Sequence, residues 1–194
     1  MIKGRSKLLF IFGAITLAVL AVAGFAWASS IRTDLFEIYV FDLPGTPAVF
    51  IRTPSDHRVL INGGSNAEIV KKLTDTLPFY SKRIDMVIAA EPVGKAAGGL
   101  IDVLGRYAVG KVFFAKATTT DGVYGTFLES LDEKVIERRE LWAGEMIEID
   151  EEATVEVIFP ARPGDFEYSN ASGPQILLRL VYKDNSFLLV GHAS

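Results

Sequence analysis

The sequence has no cysteine and only two histidines, His57 and His192. The first absence excludes disulfides, thiolate metal sites, a cysteine nucleophile and a cysteine-linked lipid anchor. The second excludes a histidine-rich metal centre, because catalytic zinc takes about three protein ligands around an open position and a paired-metal site takes more. A carboxylate site for a hard cation stays open, but no aspartate-rich loop of the calcium type occurs. Basic charge is also scarce. The formal net charge is −4, and without Lys3, Arg5 and Lys7 at the N-terminus 17 basic residues stand against 24 acidic ones, a balance of −7. A globular part of that sign repels a phosphate backbone unless it carries a local basic patch. Arg138 and Arg139 lie between Glu137 and Glu140 and read as an ordinary solvated strand. Neither histidine has the sequence context of a Ser-His-acid triad, with His57 falling in a turn.

Hydrophobic residues, in contrast, are plentiful at 49%, so a packed core is expected rather than disorder. They begin with an uncharged run from Leu8 to Ala28. About 20 such residues in a helix cross a bilayer core of roughly 30 Å. Lys3, Arg5 and Lys7 precede the run and Trp27 lies at its far end, which predicts a single-pass anchor with the N-terminus inside and the remainder outside the cytoplasmic membrane. Ala26-Trp27-Ala28 also fits a signal-peptide cleavage site, although the run exceeds the usual apolar length of 7–15 residues. Either reading exports the rest, so the expected organisation is residues 1–30 as anchor or signal and 31–194 as one domain.

Within that domain the pattern predicts strands at Phe36–Asp42, Ala48–Thr53 and Arg58–Asn62, then Gly63-Gly64. Ser65 and Glu68 have capping-box spacing, ahead of a helix carrying Ile69, Val70, Leu73 and Leu77 and closed by Pro78. A buried strand (Asp85–Ala90), a helix (Lys95–Tyr107), a strand (Gly110–Ala115) and a short helix around Tyr124–Leu131 follow. Further strands are expected at Lys134–Arg138, Met146–Ile149, Thr154–Phe159, Ile176–Tyr182 and Phe187–Val190, with Lys183-Asp184-Asn185 as a hairpin turn. This order predicts an α/β fold with helices packed on mixed sheets. Pro92-Val93-Gly94-Lys95-Ala96, between strand and helix, has some P-loop character. Ala89 replaces the leading glycine and Ala96 the hydroxyl that would hold Mg²⁺, so the segment reads as a loop of small residues for close packing.

Three stretches, FDLPGTPAVFIRTPSDHRVLINGG (41–64), DMVIAAEPVGKAAGGL (85–100) and SGPQILLRLVYKDNSFLLVG (172–191), resemble in order and spacing the metallo-β-lactamase-like domain of the ComEC competence proteins. The resemblance covers residues 36–194. It implies a layered αββα fold, and, because the family fold continues past the last stretch, an incomplete second half after the N-terminal transmembrane helix. The departures fall on the chemistry. Where the family carries a His-x-His-x-Asp-His cluster for two metals, this chain has Glu91, Val93, Lys95 and Ala96; the family aspartates of the IDGG and GDA turns are Asn62 and His192, and a third falls at Pro47. Valine and alanine offer no lone pair, and a lysine cation repels a metal.

The resemblance therefore implies a former metal site, degenerate at Asn62, Glu91, Val93, Lys95, Ala96 and His192. No catalytic residue, cofactor or metal is expected, and the domain is expected to bind or assemble as a pseudoenzyme. The alternative is a metal-dependent hydrolase of nuclease or phosphodiesterase type with an atypical carboxylate site. Expected partners are the membrane, through the N-terminal segment, and a second copy or another protein through an open sheet edge. Nucleic acid is not expected.

Overall fold

Strands that are apolar on both faces need cover on both sides, and that requirement organises the domain. The computed structural model describes residues 12–24, 35–116, 121–162 and 174–190. Contacts divide the chain into Met1–Asp34 and Leu35–Ser194. In the first unit residues 12–24 form helix α1, whose side chains are exposed. Among the described residues no helix is long and apolar enough to cross a membrane; residues 8–11 and 25–28 of the apolar run lie outside them.

In the second unit β1 (Glu37–Phe41), β2 (Ala48–Arg52) and β3 (Arg58–Ile61) form an antiparallel meander. Helices α2 (Glu68–Thr76), α3 (Gly94–Arg106) and α4 (Gly122–Glu133) then alternate with β4 (Arg83–Ala89), β5 (Ala108–Phe114) and β6 (Glu137–Glu140), which continue the sheet in parallel. The order of this six-stranded sheet is β1-β2-β3-β4-β5-β6. A second, antiparallel sheet runs β10-β9-β8-β7, from β7 (Met146–Glu148), β8 (Ala153–Phe159), β9 (Leu177–Tyr182) and β10 (Asn185–Leu189).

Two cores follow from the period of two in the strands. Phe50, Leu60, Val87 and Val112 face Ile69, Leu73, Leu100, Val103, Phe127 and Leu131 of the three helices. Their neighbours Ile51, Val59, Ile61, Ile88 and Phe113 face Val155, Val157, Leu178 and Leu180 of the second sheet. The layers are helix, sheet, sheet, in agreement with the α/β expectation. Among the described residues of this unit no helix covers the outer face of the second sheet.

Three local expectations are corrected. Ser65 does not cap α2: that helix has Ala67 at its N-cap without a side-chain bond, and Asn66 Oδ1 accepts from Glu68 N (3.0 Å). The strand expected at Lys134–Arg138 begins at Glu137. Residues 134–136 are consumed in terminating α4: Val135 N donates to Asp132 O (3.1 Å) and Ile136 N to Leu131 O (3.0 Å), with Val135 left-handed at φ 54°. This is a Schellman closure, normally built on glycine, which a hydrophobicity pattern does not reveal. Finally, the last hairpin turns on Lys183 and Asp184 alone, since Asn185 already pairs with Tyr182.

Candidate functional site

The C-terminal ends of β3 and β4 meet at Asn62. Asn62 sits in the left-handed region (φ 58°), which asparagine tolerates better than most residues. Its backbone N–H donates to Ile88 O (2.9 Å) and its Oδ1 accepts from Ala90 N (2.9 Å). That second bond fixes the amide orientation, because a backbone N–H must face the oxygen. Among the described residues no acceptor takes the Nδ2 hydrogens of Asn62.

Behind Asn62 two glycine pairs interlock. A β-carbon on Gly99 would lie 2.1 Å from Gly63 O and 2.5 Å from Asn66 O, and one on Gly98 would lie 2.5 Å from Ser65 O. A β-carbon on Gly63 would meet Leu100 N and Cδ2, each at 2.8 Å. Gly63 N donates to Ala96 O (2.8 Å) and Gly99 N to Gly64 O (3.0 Å). The INGG turn and the start of α3 thus pack backbone against backbone.

In front of Asn62 a cavity of ≈330 Å³ opens between the edges of the two sheets. Its walls are aliphatic, including Val49, Ile61, Ile176, Leu178 and Leu189, and among the described residues no lysine or arginine lines it. Its polar side chains are Asn62, Thr46 and Glu91, which are 5%, 2% and 0% exposed. Thr46 Oγ1 donates to Glu91 Oε2 at 3.5 Å. The second sheet joins here through Ile176 N, which donates to Ala90 O (2.7 Å).

Of the positions that the resemblance singled out, then, Asn62 and Glu91 come together at the cavity. Val93 is the half-buried N-cap of α3, Ala96 is buried with its carbonyl bound to Gly63, and the Lys95 side chain is exposed. His192 lies outside the described residues. These residues do not fit a metal: Glu91 is the only one of the described four in the family cluster with a ligating side-chain oxygen, and among the described residues no group of three or more His, Asp or Glu is placed to hold an ion. A more open depression of ≈600 Å³ beside β6 is lined by Arg138, Arg139 and Arg162. Its arginines have acidic partners, Glu145 for Arg139 and Arg162 and Asp132 for Arg138.

The P-loop-like segment has a different use. Asp121 caps α4, accepting from Val123 N (2.9 Å) and Tyr124 N (3.3 Å), and its other oxygen accepts from Gly94 N (3.0 Å) at the start of α3. A carboxylate thus occupies the helix end where a phosphate would be expected. Gly94 is required there, since a β-carbon would lie 2.7 Å from Val123 Cβ. The sequence signal for Asp121 is an aspartate just ahead of a helix. The Gly94 bond, the largest influence, holds the Asp121 carboxyl below its ordinary value of 3.8 with help from the Tyr124 and Val123 bonds and against burial, which raises it. Its stabilising contribution is therefore fully present above about pH 4 and is lost as pH falls through the lower folded-state value. Asp121→Ala is expected to cost about 1–2 kcal/mol at neutral pH, read from urea midpoints, with the difference from the parent shrinking in acid. An unchanged midpoint at pH 7 would remove the clamp from the account.

No protein-family model matches the sequence, and no curated protein matches it. Solved structures do. A subclass B3 metallo-β-lactamase from a soil metagenome library superposes with a TM-score of 0.53 at 16% identity, covering 83% of this chain and 61% of that one. A metallo-β-lactamase from Cronobacter sakazakii with an altered HARLDQ motif gives 0.52 at 13%, covering 79% and 60%. A B3 enzyme described as the first with an active-site glutamic acid gives 0.50 at 17%, covering 78% and 57%. The fold is the metallo-β-lactamase fold, and this chain spans about 60% of the length of the structures it matches.

Proposed function

We propose that this chain is a metallo-β-lactamase-fold domain of ComEC-like descent that binds rather than hydrolyses, tethered at the outer face of the cytoplasmic membrane by its N-terminal apolar segment. One observation carries the reading. The glycine interlock that shapes the fold's metal-site region is intact, while the positions that would ligate metals hold Glu91, Val93, Lys95 and Ala96. Packing constraints have been kept and ligand chemistry has not. The uncharged run around α1 and the basic residues before it support the tether. The edge strand β10 supports assembly: it carries neither charge nor proline, and Leu188 and the following Val190 are 57% and 62% exposed. Such an edge is a template for a further strand, from a second copy or another protein.

The deciding measurement is the metal content of the full chain, purified in detergent, after incubation with Zn²⁺, Mn²⁺ and Mg²⁺ and desalting. Less than stoichiometric metal is expected for all three. One or two tightly held ions per chain would overturn the reading in favour of a hydrolase with an atypical carboxylate site, with Glu91 the first ligand to test. The protein mass in the same preparation tests the edge: a monodisperse monomer at high concentration would count against self-pairing through β10.

A further inference from the structure

We infer that the cavity in front of Asn62 is a binding site for a small, neutral, mainly aliphatic molecule with one hydrogen-bond acceptor, such as an alcohol or a carbonyl-bearing chain. The inference rests on the reading of this region as metal-free. Its volume of ≈330 Å³ falls at the lower end of the range for small-molecule sites, about 300–1,000 Å³. Aliphatic side chains come from both sheets, Val49 and Ile61 from one and Leu178 and Leu189 from the other, so a ligand there is held on two sides. Exposed Val40, Leu188 and Val190 extend the apolar surface to its rim.

The polar groups select the class. Asn62 lines the cavity with its oxygen committed to Ala90 N, so its Nδ2 hydrogens are what it presents to a ligand, and these call for an acceptor. An anionic acceptor is disfavoured. Among the described residues no lysine or arginine lines the walls, so an anion would lose hydration among aliphatic groups without a counter-charge. A cation is disfavoured as well. Among the described lining residues the one acidic side chain, Glu91, is 0% exposed, so an ammonium would lose hydration among aliphatic groups without contact to a carboxyl group. A neutral acceptor on an apolar body meets all of these constraints.

The test uses methyl-labelled full chain in detergent, followed by NMR while octan-1-ol, octanoate or octylammonium is added. Saturable shifts are expected with octan-1-ol at the methyls of Ile61, Ile176 and Leu178. None is expected at Leu73 and Leu131 in the other core, and the two ions should bind at least about tenfold more weakly. Asn62→Asp retains the oxygen that accepts from Ala90 N and removes the amide donor; it is expected to weaken octan-1-ol by about tenfold. Ala90→Leu, which fills the cavity from its wall, should abolish the shifts. Octan-1-ol shifts that spread equally over both cores, that survive both substitutions, or that are matched by either ion would overturn the inference. So would their absence, and with no metal retained the non-catalytic reading would still stand. Retained metal would instead remove that reading.

Discussion

Gly99→Ala is expected to destabilise the domain by at least about 3 kcal/mol, although alanine is the better helix former. Gly99 lies within α3, where glycine is normally a cost of about 1 kcal/mol relative to alanine. Here the missing β-carbon is the point of contact. It would stand 2.1 Å from Gly63 O and 2.5 Å from Asn66 O. Both are backbone atoms, and Gly63 is bonded to Ala96 on the same helix, so neither can move aside as a side-chain tip can. Relief would require α3 to lift from the turn that ends β3. Gly105 provides the control. It lies in the same helix with nothing within 4 Å of its β-carbon position, and Gly105→Ala is expected to be neutral or to stabilise by up to about 1 kcal/mol. The urea midpoint of Gly99→Ala should fall while that of Gly105→Ala holds or rises. If Gly99→Ala unfolds at or above the parent midpoint, backbone contact does not explain the glycine pair.

Leu100→Ala, one residue on, is expected to cost about 2–5 kcal/mol. Leu100 is fully buried in the core between the helices and the large sheet. Its Cδ2 and Cγ approach the place a β-carbon on Gly63 would occupy, at 2.8 and 2.9 Å, so the leucine fills space that Gly63 leaves. Truncation loses the buried methyl groups and leaves a void bounded by β3, α2 and α3, which collapses poorly because the turn after β3 is hydrogen-bonded to α3. The observable is a lower urea midpoint with an unchanged slope. A loss below about 1 kcal/mol would mean that the region relaxes freely, and the interlock would then be looser than these distances indicate.

These two residues show why much of the fold was legible. Gly63-Gly64 and Gly98-Gly99-Leu100 are short patterns whose spacing reflects direct contact between a turn and a helix. The strand and helix order was also readable, because β2, β3, β4 and β5 carry apolar residues on both faces and α2 and α3 carry them at helical spacing. The misplacements arose where bonding overrides hydrophobic pattern. Val135 and Ile136 look like a strand by composition, but their N–H groups close α4. Ser65 and Glu68 have capping spacing, but Asn66 supplies the oxygen.

The candidate site divides along the same line. The sequence by itself determined which side chains are available: no cysteine, two histidines, and Glu91, Val93, Lys95 and Ala96 in the stretch that resembles the family's ligand cluster. Side-chain identity decides ligation, so no structure was needed for that. Only the tertiary structure decided what stands at the site instead. The cavity draws Val40, Asn62, Glu91, Ile176 and Leu188 from five separate places in the chain. The orientation of the Asn62 amide depends on Ala90, 28 residues away in the chain. Asp121 was visible as a helix cap, but its bond to Gly94 exists only because α3 and α4 start side by side. Contacts between residues far apart in sequence leave no periodicity to read, and the volume they enclose follows from how the two sheets pack.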